Sequence, residues 1–130
     1  EGREPEIAPA AAAAGRMLAT RRLAILATPR EPRPELATLA AGDLIARRLA
    51  AAAAAVEPRP PVVVAKGGVT SHVTLRHGLG ADEADVVGPV LPGVSLWRVG
   101  GLDYLVVPGN VGGEGLLVEL LARMRGSAAC

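Results

Sequence analysis

The chain has 130 residues and a mass of 13.2 kDa, room for one compact domain and no second lobe. Half of it is hydrophobic, yet it holds one Trp, one Tyr and no Phe, so its core has to be built from Ala, Leu and Val. A net charge of +1 gives no bulk attraction for nucleic acid or an anionic membrane, and so few rings make no stacking platform for single strands.

Residues 1–15 carry prolines and an alanine run and read as a partly ordered lead-in. They open with acidic residues and have no basic n-region, so they are not expected to act as a signal peptide. The chain also lacks an initiator Met, which raises the expectation of a segment from a longer protein. Met17–Arg22 has the makings of one or two helical turns. Leu23–Ala27 is a short apolar run closed by Thr28 and Pro29, the pattern of a buried strand. Pro29, Pro32 and Pro34 then predict a loop.

From Glu35 to about Val56 the pattern is helical, with Leu36, Leu39, Leu44, Ile45 and Leu49 near helical spacing. Gly42-Asp43 predicts an interruption, with Asp43 capping a second helix. Pro61–Lys66 is β-branched and reads as a strand. Gly67-Gly68 follow it, and Thr70 or Ser71 is placed to cap a helix that Gly78 ends. Val86–Leu91 predicts a strand that Pro89 confines to an edge or a bulge. Ser95–Val99 and Tyr104–Val107 flank Gly100-Gly101 as a hairpin or close pair. Leu116–Met124 is an amphipathic terminal helix, and residues 127–130 read as a frayed tail. The expected organisation is one domain over residues 16–126, a layered α/β fold whose mostly parallel sheet is flanked by helices, with an antiparallel pair from the last strands. No apolar run reaches the roughly 18–20 residues of a membrane span. The single Cys, Cys130, allows no internal disulfide and fits a reducing, cytoplasmic setting.

The candidate places for chemistry are two strand–glycine–helix junctions. They are VVVAKGGVTSHVTLRHG and YLVVPGNVGGEGLLVELLARM. Glycines let backbone N–H groups approach an anion, and a helix start supplies further unpaired donors. In an open α/β sheet such junctions lie at the carboxyl ends of strands, where ligands bind. Lys66 adds a positive charge beside the first junction, and Thr70 and Ser71 add hydroxyls. The plainer reading is that these glycines only make tight turns. Neither segment matches G-x-x-x-x-G-K-[ST], nor G-x-G-x-x-G in its proper place.

The remaining polar residues read as surface. His72 and His77 are poorly spaced for a shared metal, so no metal site is assigned. Asp82, Glu83 and Asp85 read as a solvated loop, and Glu114 as compensation for a helix dipole. Trp97 reads as core or pocket wall. No general base is evident, so the catalytic residues stay unassigned.

Four pieces in order give a more specific reading: Gly67-Gly68-Val69-Thr70, Leu79-Gly80-Ala81, Leu91-Pro92-Gly93-Val94 and Pro108-Gly109-Asn110-Val111-Gly112. Over about residues 62–118 the chain resembles the C-terminal nucleotide-binding domain of the four-carbon acid sugar kinases. The resemblance implies ATP, with Mg²⁺, held by Gly67, Gly68, Val69 and Thr70 at the first junction and Gly109 and Gly112 at the second. Lys66, Ser71 and Asn110 adjoin these positions and complete the candidate set. It further implies transfer of a phosphoryl group to a tetronate or oxo-tetronate, bound by an N-terminal domain that this chain lacks. Many members carry a Lys before the second loop and a Phe within it; here these are Val107 and Val111, leaving Lys66 as the substitute cation. An adenine site would need aliphatic walls, with Trp97 or Tyr104 as ring candidates. The alternative is a non-catalytic α/β domain that binds a small phosphorylated ligand. An Ala-rich helix with little bulk fits either its own sheet or another copy of the chain.

Overall fold

A computed structural model describes residues 7–28 and 38–128. In chain order it contains α1 (Ile7–Arg21), α2 (Leu39–Ala54), β1 (Val62–Lys66), α3 (Gly68–Val73), β2 (Asp85–Leu91), β3 (Val94–Val99), β4 (Leu102–Val107) and α4 (Leu116–Ala128). The helix of α3 continues without a break through a π-helical turn, Thr74–Gly78. The four strands form one sheet in the order β1-β4-β3-β2.

The sheet is mostly antiparallel, which corrects the expected mostly parallel arrangement. Only β1 and β4 run parallel; β2–β3 and β3–β4 are antiparallel. Connection length is the reason. Parallel neighbours need a long crossover, whereas Pro92-Gly93 and Gly100-Gly101 leave room only for hairpins. Gly100 and Gly101 both take positive φ, 53° and 86°, as a two-residue hairpin turn demands. β2 is an edge strand with register shifts between Val86 and Gly88 and between Pro89 and Leu91, as Pro89 led one to expect.

Strand alternation sorts side chains into three layers. Ala65 of β1 and Leu102 and Tyr104 of β4 pack with Leu75 on the face covered by α3 and its π turn. Leu105 and Val107 of β4 pack with Leu91, Val94 and Leu120 on the other face. There Leu116, Leu120 and Met124, at helical spacing on α4, form the covering stripe.

α2 differs from its expected form in two ways. It runs unbroken through Gly42-Asp43, since the Gly42 N–H donates to the Thr38 carbonyl at 3.0 Å as an ordinary helical bond. Thr38 is the N-cap, its hydroxyl accepting from the Ala41 N–H at 3.1 Å. Asp43 instead pairs with Arg47 one turn later, at 2.8 Å. The buried stripe of α2 is alanine rather than leucine: Ala46 and Ala50 pack on Val73, while Leu39 is 96% exposed. Small residues are needed because the backbones approach closely. A Cβ on Gly78 would stand 2.9 Å from the Ala50 carbonyl oxygen.

Leu23–Ala27 is not a strand. Residues 23–28 join no sheet, and α1 takes their apolar side instead. Ala24 and Leu26 pack with Ala11, Ala14 and Val56, while Ile25 stays 77% exposed. α1 reaches well beyond the one or two turns expected from Met17, beginning at Ile7 within the lead-in. The loop assigned to Pro29–Pro34, together with Glu35, Leu36 and Cys130, lies outside the described residues. Among the described residues no helix is long and apolar enough to cross a membrane.

Candidate functional site

The parallel pair brings the two glycine junctions together. Lys66 and Val107, the last residues of β1 and β4, are register partners. Each strand therefore delivers its glycine loop to the same end of the sheet. The Gly67 N–H donates to the Val107 carbonyl at 2.7 Å, and a Cβ on Gly109 would lie 3.8 Å from the Gly67 Cα. The loops thus touch at their roots, at the carboxyl ends of neighbouring parallel strands, the usual ligand position in such sheets.

At the first junction the N-cap of α3 is Gly67, at φ 106°, rather than Thr70 or Ser71. A residue with a Cβ rarely adopts that backbone, so the turn itself requires glycine there. The first intrahelical bond runs from the Ser71 N–H to the Gly67 carbonyl at 2.9 Å, which places the amides of Gly68, Val69 and Thr70 ahead of the helical ladder. Gly68 is different from Gly67. It has no positive φ, and a Cβ built on it meets nothing within 4 Å. The fold does not need glycine at 68.

Ser71 is buried and faces inward. Its hydroxyl donates to the Gly67 carbonyl at 2.6 Å, with the Ala65 carbonyl at 3.3 Å. That hydroxyl is engaged by backbone, so it is not a free donor for a ligand. Tyr104 is fully buried and donates its hydroxyl to the Ser71 carbonyl at 2.6 Å. Burial pushes the Tyr104 hydroxyl up to about 12, opposed in part by a hydrogen bond with the Thr74 side chain. Tyr104 therefore lies beneath the junction, which removes it as a ring for stacking on adenine. Trp97 is half-buried and packs on the same cluster, as wall rather than platform. Lys66 is exposed at the strand end.

The second loop is shaped by packing. The Val111 N–H donates to the Pro108 carbonyl at 3.2 Å, closing its first turn. Gly112 sits at φ 83°, and a Cβ on it would lie 2.3 Å from Leu116 Cδ2. Gly109, Asn110 and Gly112 are all exposed. A groove of about 400 Å³ opens at Gly112 and is lined by Leu91, Pro92, Leu116 and Glu119 together with Gly113 and Gly115. A larger groove, about 470 Å³, lies between α1 and residues 23–26 and includes no residue of either junction.

His72 and His77 are exposed, as are Asp82, Glu83, Asp85 and Glu114. Asp82 stands 3.7 Å from Arg76 across exposed surface. Among the described residues no three of His, Cys, Asp or Glu group as metal ligands. Sequence reasoning named Ser71 as a ligand donor and Tyr104 as a candidate ring for the base, but not as the pair whose hydroxyls hold the first junction. The lone Tyr of an aromatic-poor chain, set in an apolar strand, was the available signal for Tyr104.

Comparison with known proteins bears on the family. No curated protein matches the chain. A crystal structure of a domain of unknown function from Bordetella bronchiseptica, a domain-swapped dimer with bound citrate, is similar at 32% identity and a TM-score of 0.56. The match covers 68% of this chain and 24% of that one, so the chain spans about a quarter of its neighbour's length. A family model described as the nucleotide-binding C-terminal domain matches residues 1–117. The chain belongs to this family of nucleotide-binding C-terminal domains.

Proposed function

We propose that the chain is the ATP-binding lobe of a kinase that phosphorylates a four-carbon acid sugar of the tetronate or oxo-tetronate type, with the sugar held by a domain outside this chain. One observation carries the nucleotide part. Two glycine loops meet at the ends of neighbouring parallel strands, and Gly68 in that meeting place is a glycine the fold does not require. Turn-making accounts for Gly67 and Gly112 but leaves Gly68 unexplained. Close approach of a phosphate to backbone N–H groups accounts for it.

In this reading Gly67, Gly68, Val69 and Thr70 hold phosphate oxygens from one side, and Gly109, Asn110 and Gly112 from the other. Lys66 supplies a charge at the cleft edge. The groove beside Leu91, Pro92 and Leu116 takes the base against aliphatic walls. Space that a Cβ on Gly68 would fill fits a phosphate. The described residues offer no cluster of three metal ligands, so any Mg²⁺ would arrive with the nucleotide and would supply neutralisation of phosphate charge. Phosphoryl transfer depends mainly on positioning and charge neutralisation, and this lobe supplies the first of these. The acid-sugar assignment rests on the ordered motifs from Gly67 to Gly112, and a sugar lobe outside these 130 residues accords with the quarter-length match.

Titration with millimolar ATP and ADP tests the reading, followed by amide signals of Gly67–Ser71 and Gly109–Gly112. Both sets should move together. If neither set moves, the nucleotide reading is wrong. If phosphate alone moves them and adenine nucleotides add nothing, the chain is a phosphate-ligand domain of another kind.

A further inference from the structure

We infer that Ser71 and Tyr104 are positioning residues that aim the Gly68 N–H into the cleft, without touching the ligand themselves. The inference rests on the nucleotide reading above and adds how its first junction is held. A peptide unit is planar and trans, so the Gly67 carbonyl and the Gly68 N–H point in opposite directions. Ser71 grips that carbonyl twice, through its N–H at 2.9 Å and its hydroxyl at 2.6 Å. With the carbonyl drawn inward, the Gly68 N–H is turned outward.

Ser71 is itself anchored. Its carbonyl accepts the Tyr104 hydroxyl at 2.6 Å, a bond that spans 33 residues and ties α3 to β4. β4 also takes the Gly67 N–H at Val107. β4 thus holds the Lys66–Gly67 peptide directly, at Val107, and the Gly67–Gly68 peptide through Tyr104 and Ser71, and the same strand leads into the second loop. Donors fixed in advance need no reorganisation when an anion arrives, which is the basis of their effect on affinity. Tyr104 has no exposure and Ser71 is 6% exposed, so neither hydroxyl is offered to solvent.

The test uses the full chain and ADP. Ser71→Ala and Tyr104→Phe each remove one hydroxyl and no carbon framework. Each should raise the ADP dissociation constant about five- to tenfold, the effect of losing one well-placed hydrogen bond. Both should shift the ligand-free Gly68 amide signal, and the double variant should lose less than the product of the two. Leu102→Ala, at the opposite end of β4 and buried in the same cluster as Tyr104, is the control. It should lower the melting temperature and leave ADP affinity alone. If the unaltered chain binds ADP and both hydroxyl variants match its affinity, the positioning role is overturned while the nucleotide reading stands. A loss of affinity in Leu102→Ala equal to that in Tyr104→Phe overturns it too, since general destabilisation would then explain the effect. If the unaltered chain does not bind ADP, both readings fall.

Discussion

The two glycine junctions sit side by side yet are held by different forces. The first is held by hydrogen bonds: Gly67 to Val107, Ser71 to Gly67, Tyr104 to Ser71. The second has only local turn hydrogen bonds, such as Val111 to Pro108, and is placed against the fold by packing, with Gly112 pressed against Leu116 at the start of α4. Hydrogen bonds fix the direction of a peptide group, whereas packing fixes only where a loop can lie. The first junction is therefore suited to presenting aimed N–H donors, and the second to bounding a groove.

The contrast predicts which substitutions break which junction. The largest effect belongs to Gly112→Ala. The positive φ and the clash with Leu116 together should cost roughly 2–4 kcal/mol, read as a lower midpoint in denaturant. Gly68→Val should do the reverse. With open space around its Cβ, stability should change by no more than about 0.5 kcal/mol. In the nucleotide reading, ADP affinity should fall by roughly tenfold or more, because the side chain fills the place of a phosphate. A Gly68→Val protein that binds ADP normally would remove the main support for that reading.

Alkaline pH probes the hydrogen-bonded junction alone. The Tyr104 hydroxyl is raised from 10.0 in the unfolded chain to about 12 when folded, mainly by burial. Its contribution to stability is fully present below pH 10 and is lost as pH rises through 12, because the unfolded chain releases this proton first. Stability should fall by up to about 1.4 kcal/mol per pH unit across that window. Tyr104→Phe should lack this component. Tyr104 is the only Tyr, so ultraviolet absorbance follows its ionisation directly.

The smallest effect is expected at Lys66. Its side chain is exposed, so Lys66→Ala should weaken ADP binding only about two- to fivefold, an exposed-charge effect of up to about 1 kcal/mol. That loss should shrink with added salt. Unchanged affinity would mean that the aimed N–H groups, without the charge, set the affinity of the first junction.

Much of this architecture was legible beforehand, in an uneven way. Local signals worked where one residue type dictates backbone geometry. Pro89 marked the bulged edge strand, and Gly100-Gly101 marked the hairpin turn. Apolar periodicity failed where the partner decides the outcome. Leu23–Ala27 has strand composition, but α1 packs its apolar side and no sheet edge takes it. Leucine spacing suggested the buried stripe of α2, whereas close approach to Gly78 selected the alanines. Ser71 was correctly placed at the junction but facing the wrong way. A hydroxyl in a helix can turn to solvent or back onto a carbonyl, and spacing does not distinguish the two.

By itself the sequence determined the two glycine loops, the strands that lead into them and the lack of aromatic bulk that confines the base to aliphatic walls in the nucleotide reading. These follow from residue type and near neighbours. Tertiary structure alone decided that β1 and β4 are parallel partners, so that loops some forty residues apart meet at one end of the sheet. It alone put Tyr104 beneath the first junction. Strand pairing and burial are settled by contacts between distant segments, and local sequence carries no record of which distant segment will be there.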